Sequence, residues 1–351
     1  MIHGTPAQLD QLNRVLAMVW ERNPFYRAKW KAAGLSPGLL RSLDELERFP
    51  FTTRAELERD QASHPPLGSN LTAPFSDCLR LHRSSGTTRA PLFWADDAVS
   101  WQAVVRCSQT VWEWADVGRG DRVFFAMPFG VSSGLWIMRA GAQQLGCLCF
   151  SAGQASVEEQ LEWMGRLKPT VLVAKPRNLL TLALAASAAG LNPASLGARK
   201  LICGGAPGGH VAETRRQLEQ RWGAECFDRY GMTEAGSIAG ECAAHAGGLH
   251  LLDHEFLAEA VEPHPPRPSN DGPGRELVLT HLSRTACPIV RYRTGDLVQL
   301  DRAQCCPCGH LGTLLVGGVQ RVSAKPVLSE VAPPIQENLY EHQLQMVARR
   351  G

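Results

Sequence analysis

Apolar residues return at helical spacing over residues 9–33, and Asn23-Pro24 interrupts the run, which predicts two consecutive helices rather than one. Leu43-Asp44-Glu45-Leu46 starts another short helix. Phe49-Pro50-Phe51-Thr52-Thr53 reads as a loop, with Thr53 as N-cap of a helix over 54–59, because Glu56 stands where a capping box needs it. Beyond it, short apolar runs at 123–127, 147–150, 171–174 and 200–203 read as strands, and stretches at 133–145, 157–167 and 178–189 as helices. This alternation predicts an α/β fold: a large body with a mainly parallel sheet covered by helices on both faces. Ligands of such sheets collect at the carboxyl ends of the strands.

After residue 263 the pattern changes. His264-Pro265-Pro266 and Asn270-Asp271-Gly272 mark an exposed loop over 263–274. Strands are expected at 276–280, 289–293 and 297–300, the last two flanking a turn at Thr294-Gly295-Asp296, and together they predict a small β-rich subregion. A helix is expected over 328–350, and no internal repeat is present.

Composition narrows the function classes. The 351 residues carry 36 basic and 34 acidic side chains, a net charge of +2 that calls for neither a nucleic-acid nor a membrane partner. The sequence shows no export signal, and its longest apolar tract, around 179–191, is too short to span a bilayer, so a cytoplasmic protein is expected. Its 11 cysteines then read as reduced thiols rather than a disulfide framework, apart from one late cluster.

Candidate chemistry begins at Ser84, Ser85, Gly86, Thr87 and Thr88, where small residues can bring peptide N–H groups and hydroxyls around phosphate oxygens. The segment is no Walker A loop, since the Lys-Ser/Thr ending is missing. Gly204, Gly205, Ala206 and Pro207 follow a predicted strand, and Asp228-Arg229-Tyr230-Gly231-Met232-Thr233-Glu234 follows another apolar segment. Tyr230 can stack on adenine, Thr233 can approach an α-phosphate and Glu234 can bind Mg²⁺. Asp296, in Tyr292-Arg293-Thr294-Gly295-Asp296, is suited to ribose hydroxyls or to capping a turn.

These four motifs, in this order, resemble those of the adenylate-forming superfamily, within the branch of phenylacetate-CoA ligases and related aryl-acid activators. The resemblance runs from Phe49 to Asp296. It implies that Ser84 to Thr88 form the phosphate loop, Gly204 to Pro207 line the adenine, Tyr230 stacks on it, Asp296 grips ribose and Glu234 binds magnesium. Asp228 joins the nucleotide contacts, and Thr233, Glu234 and Arg293 are the candidate catalytic groups. The implied activity is ATP-dependent activation of a carboxylic acid, aromatic or heteroaromatic, to an acyl-adenylate. CoA or a carrier protein is the implied acceptor, and a homodimer is left open.

Two departures stand out. The family's Gly-Lys-Pro after the threonines is replaced by Arg89-Ala90-Pro91. The family's lid domain follows a Gly-Arg hinge, whereas here the hinge region reads Gly312-Thr313, so residues 1–311 are expected to form the acyl-adenylating body and 312–351 a short appendage, a remnant of the lid. An enzyme for aliphatic acids and an impaired nucleotide-binding scaffold are the alternatives; acid-dependent pyrophosphate exchange separates the enzymes from the scaffold, and a panel of acids separates the enzymes.

Cys242-Ala243-Ala244-His245 and Cys305-Cys306-Pro307-Cys308-Gly309-His310 carry thiols and imidazoles in short-spaced pairs, the pattern of a structural zinc site. The expected ligands are Cys242, His245, Cys306 and Cys308, with Cys305 an alternative to Cys306, and His250 or His310 to His245. The phenylacetate-CoA ligase branch shows a Cys-x-Cys-Gly segment at the place of residues 306–309. Met127-Pro128-Phe129-Gly130 and Trp136 are candidates for the acid pocket; Trp101, Trp112 and Trp114 read equally as core.

Overall fold

The computed structural model describes residues 2–84, 91–206, 208–264, 274–302 and 306–321, the side chains of 245–247 and 321 excepted. Helices α1 (Pro6–Arg22) and α2 (Pro24–Ala32) divide at Asn23, which donates its backbone N–H to Val19 and accepts the Tyr26 N–H on its side chain. Pro24 opens α2, where its missing N–H costs nothing. Thr53 and Glu56 close the expected capping box on α3 (Arg54–Ser63). The segment before it docks on the body through Thr52, whose backbone exchanges hydrogen bonds with Arg291 and Arg293. β1 (Arg80–Arg83) and β2 (Phe93–Asp96) then form a separate two-stranded antiparallel sheet.

The α/β body follows: α4 (Ala98–Trp114), β3 (Arg122–Phe125), α5 (Ser133–Gln144), β4 (Leu148–Ser151), α6 (Val157–Leu167), β5 (Val171–Ala174), α7 (Pro176–Ala188), β6 (Lys200–Cys203) and α8 (Ala212–Trp222). Strands β7 (Glu225–Met232), β8 (Gly236–Cys242), β9 (His245–Leu251), β10 (Phe256–Val261), β11 (Arg275–His281), β12 (Tyr292–Asp301) and β13 (Leu314–Arg321) follow, with antiparallel pairing from the second half of β7 onward. Eleven strands make one sheet in the order β10-β11-β12-β13-β9-β8-β7-β6-β5-β3-β4.

Strand alternation sorts the core. Val123 and Phe125 face one side with Val171, Val173, Ile202 and Phe227, packed by Trp112 and the apolar face of α5. Phe124, Leu172, Leu201 and Cys226 face the other, against α6, α7 and α8. Burying one such side chain fully contributes about 1.5–3 kcal/mol, which accounts for a sheet that is apolar on both faces.

β7 is the pivot of the molecule. Its first half pairs in parallel with β6, ending at Cys203↔Asp228, and its second half pairs antiparallel with β8, starting at Arg229↔Gly240. The nucleotide motif therefore sits where the parallel and antiparallel halves meet.

One expectation is corrected. Thr294-Gly295-Asp296 does not separate two strands; it bulges within the single strand β12, opposite the break between Glu276 and Val278 on β11. The Thr294 hydroxyl donates to the Leu277 carbonyl and accepts the Asp296 N–H, and Gly295 takes φ 70°, so the bulge satisfies its own backbone. β13, which begins just after the expected boundary at 311/312, pairs between β12 and β9. Without β13 the two halves of the antiparallel region would each present an unpaired edge. Residues 322–351, including the helix expected at 328–350, lie outside the described residues. Among the described residues no helix is long and apolar enough to cross a membrane.

Candidate active site

The turn at Thr233 and Glu234 joins β7 to β8, and it is held from two sides. Arg284 donates through Nη1 to the Thr233 carbonyl at 2.7 Å, and pairs through Nε and Nη2 with both oxygens of Asp96, each at 2.7 Å. Both members of that pair are fully buried. On the other side Arg54, the first residue of α3, donates to Glu234 Oε1 and to Ser84 Oγ, each at 3.0 Å, and to Glu58 at 2.8 Å. Tyr292 Oη also lies 3.5 Å from Glu234 Oε1. Ser84 closes the base of its loop, exchanging bonds with Leu92 through its N–H and its hydroxyl. The rest of the phosphate loop, Ser85, Gly86, Thr87, Thr88 and Arg89, and Pro207 of the adenine loop lie outside the described residues.

Tyr230 and Asp296 meet. The phenol donates to Asp296 Oδ2 at 2.7 Å, and the carboxylate is buried. Asp228 holds the Arg229 N–H on Oδ1 and His210 Nδ1 on Oδ2 at 3.2 Å. Gly209 is packed so closely on Asp228 that a Cβ would stand 2.6 Å from its carboxyl carbon. Gly204 and Gly205 lead from β6 into this region.

Arg293 is placed elsewhere. Its guanidinium pairs with Glu276 on β11 and donates to the Glu262 carbonyl, because alternation along β12 turns Tyr292, not Arg293, toward Glu234. Arg54, Arg284 and Tyr292 are the site residues that motif reading missed; only the position of Arg54 directly after the capping Thr53 could have drawn attention to it.

The cysteine cluster assembles from Cys242, His250, Cys306 and Cys308, whose ligand atoms all lie within 4.8 Å of one another. Cys242 Sγ is 3.5 Å from Cys306 Sγ and 3.3 Å from His250 Nε2, and Cys308 Sγ is 3.4 Å from His250 Nε2. Tetrahedral Zn–S bonds put sulfurs about 3.7 Å apart, so the donor set and its spacing fit zinc. Among the described residues the histidine brought to the sulfurs is His250. It pairs with Gly240, two residues from Cys242 and so on the same strand face, whereas His245 pairs with Cys242 across a register shift. The His245 side chain and Cys305 lie outside the described residues. His310 packs its ring on Trp114 and His250. Burial pushes the Cys242 thiol up to about 12, while N–H and thiol donors lower that of exposed Cys308.

A second group, Cys107, Glu255 and His281, also brings ligand-type atoms within 4.8 Å. It does not fit a metal. His281 Nδ1 accepts the N–H groups of Ser283 and Arg284, so the other ring nitrogen carries the proton and has no lone pair to give.

A model described as AMP-binding enzyme matches residues 98–267. The chain is 32% identical over 312 residues to a phenylacetate-coenzyme A ligase of Pseudomonas putida, covering 88% of this chain and 69% of that one. It belongs to the phenylacetate-CoA ligase family. A phenylacetate-coenzyme A ligase of Thermus thermophilus is 31% identical, with 86% of this chain and 67% of the relative covered, so this chain spans about two thirds of the length of such ligases. A solved 2-hydroxyisobutyryl-CoA ligase in complex with 2-HIB-AMP and CoA superposes with a TM-score of 0.83 at 29% identity, covering 91% of this chain and 70% of that one. Phenylacetate-CoA ligases are ATP-dependent acid-activating enzymes of the adenylate-forming class, and the mixed sheet and its pivot strand are the scaffold of that class.

Proposed function

We propose that this chain activates an aromatic carboxylic acid with ATP and Mg²⁺ to an acyl-adenylate and passes the acyl group to CoA. The observation that carries this reading is the convergence of Tyr230, Asp296, Glu234 and Ser84 at the pivot of the sheet, through Tyr230–Asp296 and Arg54–Glu234–Ser84. A substrate carboxylate oxygen attacks the α-phosphorus of ATP and pyrophosphate leaves; no side chain becomes a nucleophile. Catalysis then rests on alignment and on donors that meet the developing charge.

Tyr230 would offer its ring to adenine while its phenol fixes Asp296 for the ribose. Thr233, with its carbonyl pinned by Arg284, would present its hydroxyl and N–H to the α-phosphate. Glu234 would hold Mg²⁺, whose role is to neutralise phosphate charge; a buried carboxylate beside Ser84 has the hard oxygen chemistry that ion prefers. Arg54 orients Glu234 through their ion pair. Zinc on Cys242, His250, Cys306 and Cys308 would be structural, tying the β8–β9 hairpin to the segment between β12 and β13.

Acid-dependent exchange of labelled pyrophosphate into ATP tests the first half-reaction, and product analysis with CoA tests the second. Exchange should need magnesium and fall at least about hundredfold in Glu234→Gln. Absence of exchange across aromatic and aliphatic acids, in protein that binds ATP, would leave the impaired scaffold as the function.

A further inference from the structure

Among the described residues Arg229 is a cation without a counter-ion. Four other largely buried arginines of the body are matched, Arg284 with Asp96, Arg291 with Glu259, Arg293 with Glu276 and Arg215 with Glu241, whereas Arg139 on α5, its Nε likewise without a partner, lies over the Phe129 ring. Arg229 Nε is sealed from solvent and has no acceptor, and the guanidinium makes no ion pair among the described residues. Burial draws its pKa down to about 10, more than the neighbouring Asp228 restores. Arg229 is half-buried, and a guanidinium whose sealed Nε has no acceptor is destabilising, so such a group is kept where a ligand supplies the missing charge.

Its position says which ligand. Alternation along β7 puts Arg229 on the same face as Phe227, toward α5, whereas Glu234 faces Arg54 and Tyr292. The side chain lies across Gly204, where a Cβ would come within 2.9 Å of its Cγ and 3.0 Å of its Nε. It reaches the first turn of α5, with Nη2 3.9 Å from where a Gly134 Cβ would stand. That helix end is itself unmatched. Ser132 makes no side-chain cap bond, and the hydroxyl of fully buried Ser133 has no partner. The guanidinium thus stands at the first turn of α5, whose N-terminus has no side-chain cap, away from the Arg54–Glu234–Ser84 cluster. Phe129 and Trp136, stacked edge to face at 4.9 Å, stand at the same end of α5 and offer an aromatic wall.

We propose that Arg229 is a specificity residue that receives a second carboxylate on the acid, so that the preferred substrate is an aromatic dicarboxylic acid activated at its other end. This rests on the acid-activating reading above and deepens it. Asp228, on the opposite face of β7 and engaged by His210, does not neutralise the site; Gly204 lets the arginine stem lie close, and Gly134 leaves space beside Nη2.

The test compares matched acids that differ only in the second carboxylate: phenylacetate against its 2-, 3- and 4-carboxy derivatives. Binding to the full chain is measured calorimetrically in wild type, Arg229→Leu and Arg229→Gln, the last keeping polarity without charge should the first fail to fold. At least one dicarboxylate should bind wild type at least about tenfold more tightly than phenylacetate, and either variant should bring the ratio to about one or below. The wild-type preference should also shrink as salt is raised. A wild-type ratio of one or less for all three isomers, a ratio that survives both substitutions, or no binding of any of these acids would overturn the assignment. Pyrophosphate exchange with the same acids separates it from the parent reading. Exchange absent while the Arg229-dependent ratio holds would sink acid activation alone, and exchange supported by phenylacetate in preference to every dicarboxylate would sink the role of Arg229 alone.

Discussion

Tyr230 and Asp296, 66 residues apart in sequence, are joined by a 2.7 Å hydrogen bond that links the pivot strand to the bulge of β12. The bond makes the ring and the carboxylate one unit, so each should depend on the other. Tyr230→Phe should raise the KM for ATP about three- to tenfold while kcat changes little, and Asp296→Ala should raise it further. Steady-state kinetics in varied ATP measure this. An unaltered KM in both variants would reduce the pair to a fold contact.

Arg284 and Asp96 form a fully buried bidentate pair whose third donor holds the Thr233 carbonyl. Removing one member leaves the other charge buried alone. Asp96→Ala should therefore lose about 3–5 kcal/mol of stability, far more than a surface ion pair such as Arg166–Glu162 would. Denaturant unfolding decides this, and a loss below about 1 kcal/mol would mean that the guanidinium finds another partner.

Gently purified protein should contain one zinc per chain, lost in Cys306→Ser/Cys308→Ser and in His250→Ala. His245→Ala should retain it, since His250 is the imidazole placed at the three sulfurs. Chelation should lower the thermal midpoint, because β8, β9 and the segment before β13 would lose a common anchor. Elemental analysis with thermal unfolding tests all three; retention of zinc in His250→Ala and its loss in His245→Ala would reverse the assignment.

Burial pushes the Glu255 carboxyl up to about 7 from its ordinary 4.5. Between those values the folded state binds more protons than the unfolded one, so this group destabilises the fold progressively as pH rises through that window. Buried His281, held neutral with its pKa well below the ordinary value, has the opposite slope below 6.5 and masks part of the trend in wild type. The difference between Glu255→Gln and wild type isolates the carboxyl. The variant should gain on wild type from pH 4.5 to about 7, by about 2–3 kcal/mol in all, and the gain should level off above. A difference that is flat with pH would show that Glu255 ionises normally.

What the sequence determined by itself is local. The Asn23-Pro24 break, the Thr53–Glu56 capping box and the helix at Val157–Leu167 depend on residues within one or two turns of each other, and they stand as read. Motif identity was legible too, since Tyr230, Glu234 and Asp296 needed only order and residue type, and the family follows from them. Tertiary structure decided what depends on register and facing. Pairing of β8 with β9 selected His250 for the three sulfurs, and alternation on β12 gave Glu234 to Tyr292 and turned Arg293 to Glu276. β13 entered the sheet between β12 and β9 because edges separated by long stretches of chain needed pairing, which no local pattern encodes. Arg229 lay in plain view between Asp228 and Tyr230, but only packing reveals that no acid among the described residues pairs with it. A charge is matched or unmatched in three dimensions, and sequence spacing carries no record of that.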